Sequence, residues 1–504
     1  MPAEAPLLLL RADAGPGIGS GHVSRLLSLA EAWIDAGGRA RLLTAAVSKA
    51  MAVRAGALGV EITELPAAHP APADLAALKA AIAKAGPRPW VAVDGYGFDA
   101  AYDRGARDGG ARLLALDDVP RLADYPVDIF LNQNAGAESR EYPLPPEALP
   151  LLGPRWALLR RDYAAKGAAR ALRPRAERIL VSFGGADPKD ATAGAIRALR
   201  RLKAPYRAAV VVGPDNPRGA ELERLAQGAP IVFEKAANMP ALMADADVAL
   251  LAGGATMLEA CAAGLPALVA TIAGNQEPGA AALAESGAVR LLGRAPDVSE
   301  ATLAAALDAL LGDRAARETL SLAGRRAVDG RGAARVAAVM LALSEPKLDA
   351  DWVSLRPAAA EDALEVWRIA NDPSVRANSF RREPIPLAAH LDWYRARLAD
   401  KDSRFWLLDV AGAVAAQVRY ERSGDEAAVH YSVRGAFRVK GLGTLALAAT
   451  RAPACRELGA RRLTGVVIAP NPASERSFVS AGWSRKGDET RDGKTCAVFE
   501  AACS

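Results

Sequence analysis

His22 stands in the run Gly19-Ser20-Gly21-His22-Val23-Ser24-Arg25, shortly after the apolar stretch Leu7-Leu8-Leu9-Leu10. An imidazole suits the removal of a proton from water near neutral pH, because its unperturbed pKa is about 6.5. The glycines leave backbone N–H groups open, and a following helix would turn the positive end of its dipole toward an anion such as phosphate. The same dipole disfavours an imidazolium, as a general base requires. Val23, Leu26, Leu27, Ala30 and Trp33 recur at helical spacing and predict that helix, with this stripe buried. Only four histidines occur in the chain, and this one is placed for chemistry.

Such a base needs a rigid sheet edge. Short apolar runs alternate with helical patterns through the first 150 or so residues, with strands predicted at Leu7–Leu10, Ala40–Leu43, Val91–Val93, Leu113–Leu116 and Ile129–Leu131. Three of them end in polar residues, Asp94-Gly95, Asp117-Asp118 and Asn132-Gln133-Asn134, which implies a polar crevice at the carboxyl edge. A second series follows Pro154: Ile179–Phe183, Ala208–Val212, Ile231–Phe233, Val248–Leu251 and Ala267–Val269. Strands separated by helices predict parallel, doubly wound sheets, hence two Rossmann-like units with a cleft between them. From Val353 hairpin strands mix with helices, an α+β style. The expected domains are 1–150, 151–345, a linker at 346–352, and 353–504; at roughly 150 residues per domain, a chain of 504 residues has room for three.

Apolar residues make up 51% and charged residues 24%, as in a soluble globular protein. The net charge of +5 is spread among interspersed acids and bases, so nucleic acid is not an expected partner. Cys261, Cys455, Cys496 and Cys503 lack metal-ligand spacing and read as unpaired packing residues or surface thiols, consistent with a reducing cytoplasm. No signal peptide or membrane insertion is expected, and no metal. Oligomeric state is not encoded legibly.

Gly17-Ile18-Gly19-Ser20-Gly21-His22 with Arg25, Leu116-Asp117-Asp118, Asp128 with Leu131-Asn132, and Leu152-Gly153-Pro154 with Ala157-Leu158-Leu159-Arg160 occur in order. Val181-Ser182-Phe183-Gly184-Gly185-Ala186-Asp187-Pro188, Gly253-Gly254-Ala255-Thr256 with Glu259, and Asn275-Gln276 follow. Together they resemble the UDP-sugar hydrolases of pseudaminic acid biosynthesis, over about residues 7–330. The resemblance implies a GT-B-type arrangement and release of UDP from a 2,4-diacetamido-2,4,6-trideoxy sugar with water as acceptor. Read residue by residue, Gly253, Gly254, Ala255 and Thr256 follow a strand and open a helix, so their N–H groups can hold a diphosphate. Ala255 stands where the family commonly has serine, which removes a hydroxyl but leaves the backbone cradle. Glu259, about one turn beyond Thr256, could accept from the ribose diol, and Asn275 and Gln276 could bind sugar hydroxyl or amide groups. His22 is the expected general base, with Asp94 or Asp118 orienting it or the sugar. Gly19, Ser20, Gly21, Arg25 and Arg160 are expected around the substrate.

Arg438-Val439-Lys440-Gly441-Leu442-Gly443-Thr444 fits R-x-x-G-x-G between a strand and a helix predicted at Leu445–Glu457, and its N–H groups could grip a pyrophosphate. With Asn471, Ser474, Phe478 and Gly482-Trp483 it resembles the GNAT N-acetyltransferases over about residues 353–500, which implies acetyl-CoA as co-substrate. Asn371-Asp372-Pro373-Ser374-Val375-Arg376 and His390 resemble the branch that acetylates the 4-amino group of UDP-sugars. Many GNAT enzymes carry a tyrosine where Phe478 stands, so protonation of the departing thiolate is lost, taken by water or moved to another side chain. The amine's base is open: His430 reads as a packed strand histidine, with Glu426 or a water chain as alternatives. A bifunctional enzyme performing consecutive acetylation and hydrolysis is therefore expected, against two alternatives: a glycosyltransferase fused to an acyltransferase, or a non-catalytic sensor of nucleotide sugar and acyl-CoA.

Overall fold

A parallel strand covered on both faces has no solvent side, so its sequence is apolar throughout instead of alternating. The computed structural model describes residues 5–15, 19–164, 170–184, 187, 189–213, 216–235 and 238–503. It places the Leu7–Leu10 run in such a strand, β1 (Leu7–Arg11), where Leu8, Leu9 and Leu10 have no exposed surface. Gly17, Ile18, Gly185, Ala186 and Pro188 of the quoted motifs, and Ala236 and Ala237, lie outside the described residues.

Contacts divide the chain into two units, Met1–Leu144 with Pro150–Ala337, and Pro145–Leu149 with Ala338–Ser504. In the first, β1 is joined by β2 (Arg39–Thr44), β3 (Glu61–Glu64), β4 (Trp90–Asp94), β5 (Arg112–Leu116), β6 (Ile129–Asn132) and β7 (Leu149–Leu152), in spatial order β3-β2-β1-β4-β5-β6-β7. Pairing from β3 through β6 is parallel. A second parallel sheet has β8 (Arg178–Ser182), β9 (Arg207–Val211), β10 (Ile231–Glu234), β11 (Val248–Leu251), β12 (Ala267–Thr271) and β13 (Arg290–Arg294), in order β10-β9-β8-β11-β12-β13. Strand order reverses at β1/β4 and at β8/β11, the places where a doubly wound sheet opens a crevice. Gly19–Arg25 follows β1, Asp94 ends β4 and Gly253 follows β11, so the site residues predicted there cluster at both reversals.

The helix predicted after Gly19 runs over Gly21–Asp35, and Val23, Leu26, Leu27, Ala30 and Trp33 are each at most 1% exposed. Trp33 donates its indole N–H to the Pro6 carbonyl at 3.0 Å, and a Cβ at Gly38 would stand 2.2 Å from that nitrogen. Only glycine lets the chain turn beneath the ring.

The second unit contains one mixed sheet of β14 (Val353–Pro357), β15 (Ser403–Val410), β16 (Ala413–Ser423), β17 (Glu426–Val433), β18 (Arg462–Ile468), β19 (Ser484–Arg491) and β20 (Lys494–Ala502), in order β14-β15-β16-β17-β18-β20-β19. Helix Leu442–Leu458 covers one face through Ala446, Leu447 and Ala454. Helices Ala363–Ala370 and Leu387–Ala399 cover the other through Val366, Ile369 and Tyr394. The parallel pair β17/β18 is hydrogen-bonded only from Glu426↔Arg462 to Val429↔Gly465; beyond that point the two strands carry no mutual register.

One cysteine expectation is overturned. Cys455, in helix Leu442–Leu458, and Cys503, just past β20, form a disulfide. Pairing of β20 with β18 brings the tail back to the helix end, and their Cα atoms lie 5.5 Å apart. Cysteine usage therefore carries no inference of a reducing compartment, although Cys261 and Cys496 are free and buried as expected.

Asp103, in helix Ala100–Asp108, is 2% exposed and its Oδ1 has no partner among the described residues. Burial, opposed by Arg121 and reinforced by Asp99, Asp117 and Asp124, pushes its carboxyl up to about 7. A raised acid binds its proton more tightly folded than unfolded, so this group lowers stability progressively as pH climbs from about 4 to about 7. Asp103→Asn is expected to raise the melting temperature at about pH 8 and to change it little at about pH 4, as checked by scanning calorimetry.

Candidate functional site

Two carboxylates at the ends of neighbouring strands repel unless a cation neutralises them. Asp94 closes β4, Asp118 lies two residues past β5, and Arg25, one turn after His22, fills the space between. Its Nε and Nη2 donate to Asp94 at 2.5 and 2.8 Å, and its Nη1 reaches both Asp118 oxygens at 3.0 Å. Asp118 also accepts from Asn134 Nδ2 at 2.9 Å and Tyr96 Oη at 3.2 Å. Burial would raise the Asp118 carboxyl, but Arg25, then Asn134 and Tyr96, hold it below its usual value. Burial would likewise lower Arg25, and its two carboxylate partners hold it higher.

The expectation that Asp94 or Asp118 orients His22 is corrected here. Both are engaged by Arg25, whose permanent charge outcompetes an imidazole, and neither bonds His22. The His22 ring instead packs edge-on against Tyr96, with centroids 5.0 Å apart at 82°. Tyr96 in turn accepts a hydrogen bond from Asn275 Nδ2 at 3.1 Å, so the His22 edge and the loop after β12 meet on one phenol. Sequence reasoning missed Tyr96; its one signal was an aromatic directly after Asp94-Gly95, where Gly95 has φ +156°.

After β11, Gly254 caps helix Ala255–Ala263. A Cβ at Gly253 would stand 3.1 Å from both Gln276 Cβ and Thr271 Cγ2, so a side chain there would press on both. Gln276, expected on the sugar, uses its Oε1 to accept from the Gly253 and Ile272 N–H groups at 3.2 and 3.0 Å. It ties the phosphate-type loop to its neighbour. A cavity of about 380 Å³ lies beside Asn275, lined also by Asp118, Asn132, Asn134, Arg140 and Gly279. Glu259 faces Arg160, Arg54 and Tyr163; burial pushes its carboxyl up to about 7 against the pull of both arginines. Arg160 also pairs with Asp162 at 2.9 Å.

In the second unit, the R-x-x-G-x-G loop turns through left-handed Val439 (φ +55°) and Gly441 (φ +86°) into helix Leu442–Leu458. A Cβ at Gly443 would lie 2.8 Å from Ser477 Oγ and 3.2 Å from Tyr431 Cε2, a cradle that a side chain would fill. The loop's charged side chains point elsewhere. Arg438 pairs with Asp372 at 2.7 Å, and Lys440 donates to the carbonyls of Leu343, at 3.0 Å, and Glu345. Leu442 is buried and Asn471 caps helix Pro472–Ser480, accepting from the Ser474 N–H at 3.1 Å. Phe478 is buried, stacked on Phe499 at 4.8 Å and edge-on to Trp483 at 5.1 Å. The parting of β17 and β18 opens a cavity of about 1220 Å³ lined by Val439, Gly443, Thr444, Asn471, Tyr431 and His430, among others.

His430 is not packed as expected: its side chain is 54% exposed into that cavity, because strand alternation sends Val429, not His430, into the core. Partial desolvation in the cavity and the charge of Arg419, opposed by Glu421, lower its pKa. Glu426, the alternative base, pairs with Arg462 at the closed end of the strands.

Residues 353–484 match the acetyltransferase (GNAT) domain, and residues 177–313 match glycosyl transferases group 1. The chain joins a GT-B-like glycosyl transferase group 1 unit to a GNAT acetyltransferase domain. MurG of Acinetobacter baumannii is similar in fold, with a TM-score of 0.50 and 16% identity over 67% of this chain and 99% of that one. The aminoglycoside acetyltransferase AAC(6')-Ib in complex with coenzyme A has a TM-score of 0.27 and 16% identity, covering 30% of this chain and 94% of that one. An uncharacterized protein of Methanocaldococcus jannaschii is 24% identical over 171 residues, 32% of this chain. The chain spans about a third of that relative's length (35%). Among the described residues no cluster of His, Cys, Asp and Glu could hold a metal ion, and no helix is long and apolar enough to cross a membrane.

Removing one partner of a buried ion cluster leaves the others uncompensated, at a cost of about 3–5 kcal/mol. Arg25→Met is expected to lower stability by about that amount in urea unfolding, whereas Tyr96→Phe, at a side chain 48% exposed, should shift it by less than about 0.5 kcal/mol.

Proposed function

We propose that the GT-B-like unit hydrolyses a UDP-linked 2,4-diacetamido-2,4,6-trideoxy sugar to free sugar and UDP, and that the GNAT domain N-acetylates its 4-amino precursor. The observation that carries the hydrolase assignment is the join of His22, Tyr96 and Asn275, which puts an imidazole beside the loop next to the Gly253-Gly254 turn. In this mechanism the N–H groups of Ala255 and Thr256 hold the diphosphate, and Glu259 accepts from the ribose. Asn275 and the amides of the adjoining cavity receive the acetamido groups. His22 takes the proton of the attacking water as the bond from the anomeric carbon to the phosphate oxygen breaks, and UDP leaves with the electron pair. Tyr96 fixes the imidazole plane, while Asp94 and Asp118 act through Arg25. The substrate partners in this reading are small molecules, a UDP-sugar and acetyl-CoA.

For the acetyl donor, the cradle at Gly443 and the open N–H groups of residues 439–444 fit a pyrophosphate, with Asn471 beside the chain that leads from it. Acetyl-CoA would supply an activated thioester there. The covalent link raises the local concentration of the intermediate only modestly, so consecutive steps are proposed without channelling.

The glycosyl transferases group 1 match favours a second reading, transfer of the sugar to an acceptor. A hydrolase releases UDP with water alone; a transferase waits for the acceptor.

His22→Asn is expected to slow UDP release at least ~100-fold, the usual worth of a general base, while UDP affinity by calorimetry stays within about twofold; retained turnover would refute the assignment. UDP-sugar carries a diphosphate diester that does not titrate near neutrality, whereas the Glu259 carboxyl does so at about 7. In a His22→Asn background, UDP-sugar affinity should therefore rise between about pH 6 and pH 8 as the carboxylate forms, and Glu259→Gln should flatten that rise.

A further inference from the structure

Resting on the acetyl-transfer assignment, we propose that Tyr431 is the general acid that protonates the departing thiolate of the acetyl donor. An expelled thiolate needs a proton, and the cavity must supply the donor. Phe478 carries no hydroxyl, and its ring is held in the stack with Phe499 and Trp483. His430 is a neutral imidazole at neutral pH, since partial desolvation and Arg419 lower its pKa, and so it offers no acidic proton. Tyr431 is the one phenol lining this cavity among the described residues.

Its position is specific. Tyr431 lies on β17 just beyond Val429, the last residue paired with β18, so its ring enters the opening where the strands part. The ring stands edge-on to Phe478 with centroids 5.8 Å apart, and its Cε2 is 3.2 Å from a Cβ built on Gly443. Its hydroxyl lies 2.9 Å from Ser474 Oγ, on the helix that Asn471 caps. The hydroxyl thus sits between the loop expected to grip the donor's pyrophosphate and the helix flanking its thioester arm. Burial raises its pKa, against hydrogen bonds from Ser474 and Ser477, so the proton is present at neutral pH.

In the step itself, the amine nitrogen forms the C–N bond to the acetyl carbon and the C–S bond breaks, with the electron pair going to sulfur. The Tyr431 hydroxyl gives its proton to that sulfur. The phenolate is reprotonated by the proton that the nitrogen sheds, carried through Ser474 Oγ or water, so the amide and free thiol are the only products.

Two measurements test this on the full-length protein. Tyr431→Phe is expected to reduce kcat for acetyl transfer at least about tenfold with KM for acetyl-CoA within about twofold. By calorimetry, the wild type should bind coenzyme A roughly three- to tenfold tighter than desulfo-coenzyme A, the worth of one hydrogen bond to sulfur, and Tyr431→Phe should abolish that difference. Unchanged kcat in Tyr431→Phe would overturn the proposal, as would equal weakening of coenzyme A and desulfo-coenzyme A binding, the mark of a structural role. If the wild type acetylates no UDP-amino-sugar, the acetyl-transfer assignment fails. The two binding constants still decide whether the Tyr431 hydroxyl meets the sulfur.

Discussion

The guanidinium of Arg25, held between Asp94 and Asp118, is the interaction on which the first site depends. Without it, two carboxylates would face each other at adjacent strand ends in a place largely closed to water. With it, Asp118 is fixed and can hold Tyr96 and Asn134 at once. Tyr96 then presents its edge to His22 and its oxygen to Asn275. One cation therefore aligns the ends of β1, β4 and β5 with a loop from the second sheet. Both carboxylates are engaged by Arg25 in the structure.

In both candidate sites the glycine-bearing turn is braced by, or flanked by, side chains that are held on partners within the protein. Gln276 braces the Gly253 turn from behind, and Arg438 and Lys440 bind Asp372 and the carbonyls of Leu343 and Glu345. A Cβ at Gly253 or Gly443 would crowd its neighbours, at 3.1 and 2.8 Å. Backbone donors fixed in this way need no reordering to meet a phosphate, whereas a free lysine would lose side-chain entropy on binding.

The sequence made the interior legible and the edges obscure. Strands β1, β4, β5, β8 and β11 are buried on both sides, so their apolar runs announce them. Glu61–Glu64 and Ser484–Arg491 are edge strands of their sheets, mostly exposed, and their polar sequences carry no such signal. Among site residues, types and strand-end positions were readable, but partners were not. Asp94 and Asp118 meet Arg25 from 69 and 93 residues away, a pairing that only the assembled sheet sets. His430 shows a different limit, since a one-residue error in strand phase inverts the side chain between core and cavity. The Cys455–Cys503 pair was hidden for the same reason as the arginine cluster: 48 residues separate the partners until the last strand returns to the sheet.

The two aromatic residues at the parting of β17 and β18 illustrate how a role can move without a change of fold. A helix wall and a strand wall face the same opening, so either can deliver a hydroxyl to it. On the helix side, position 478 is enclosed by Phe499, Trp483 and the chain at Gly465, where a built Cβ would come within 2.4 Å of the ring. A hydroxyl held that deeply would need a polar partner that these neighbours do not offer. On the strand side, Ser474 already stands 2.9 Å from the Tyr431 oxygen and satisfies it while the cavity is open. Burial that suits phenylalanine at one wall and a paired phenol at the other makes the exchange physically coherent, and it leaves the sheet, the loop and the capped helix as they are.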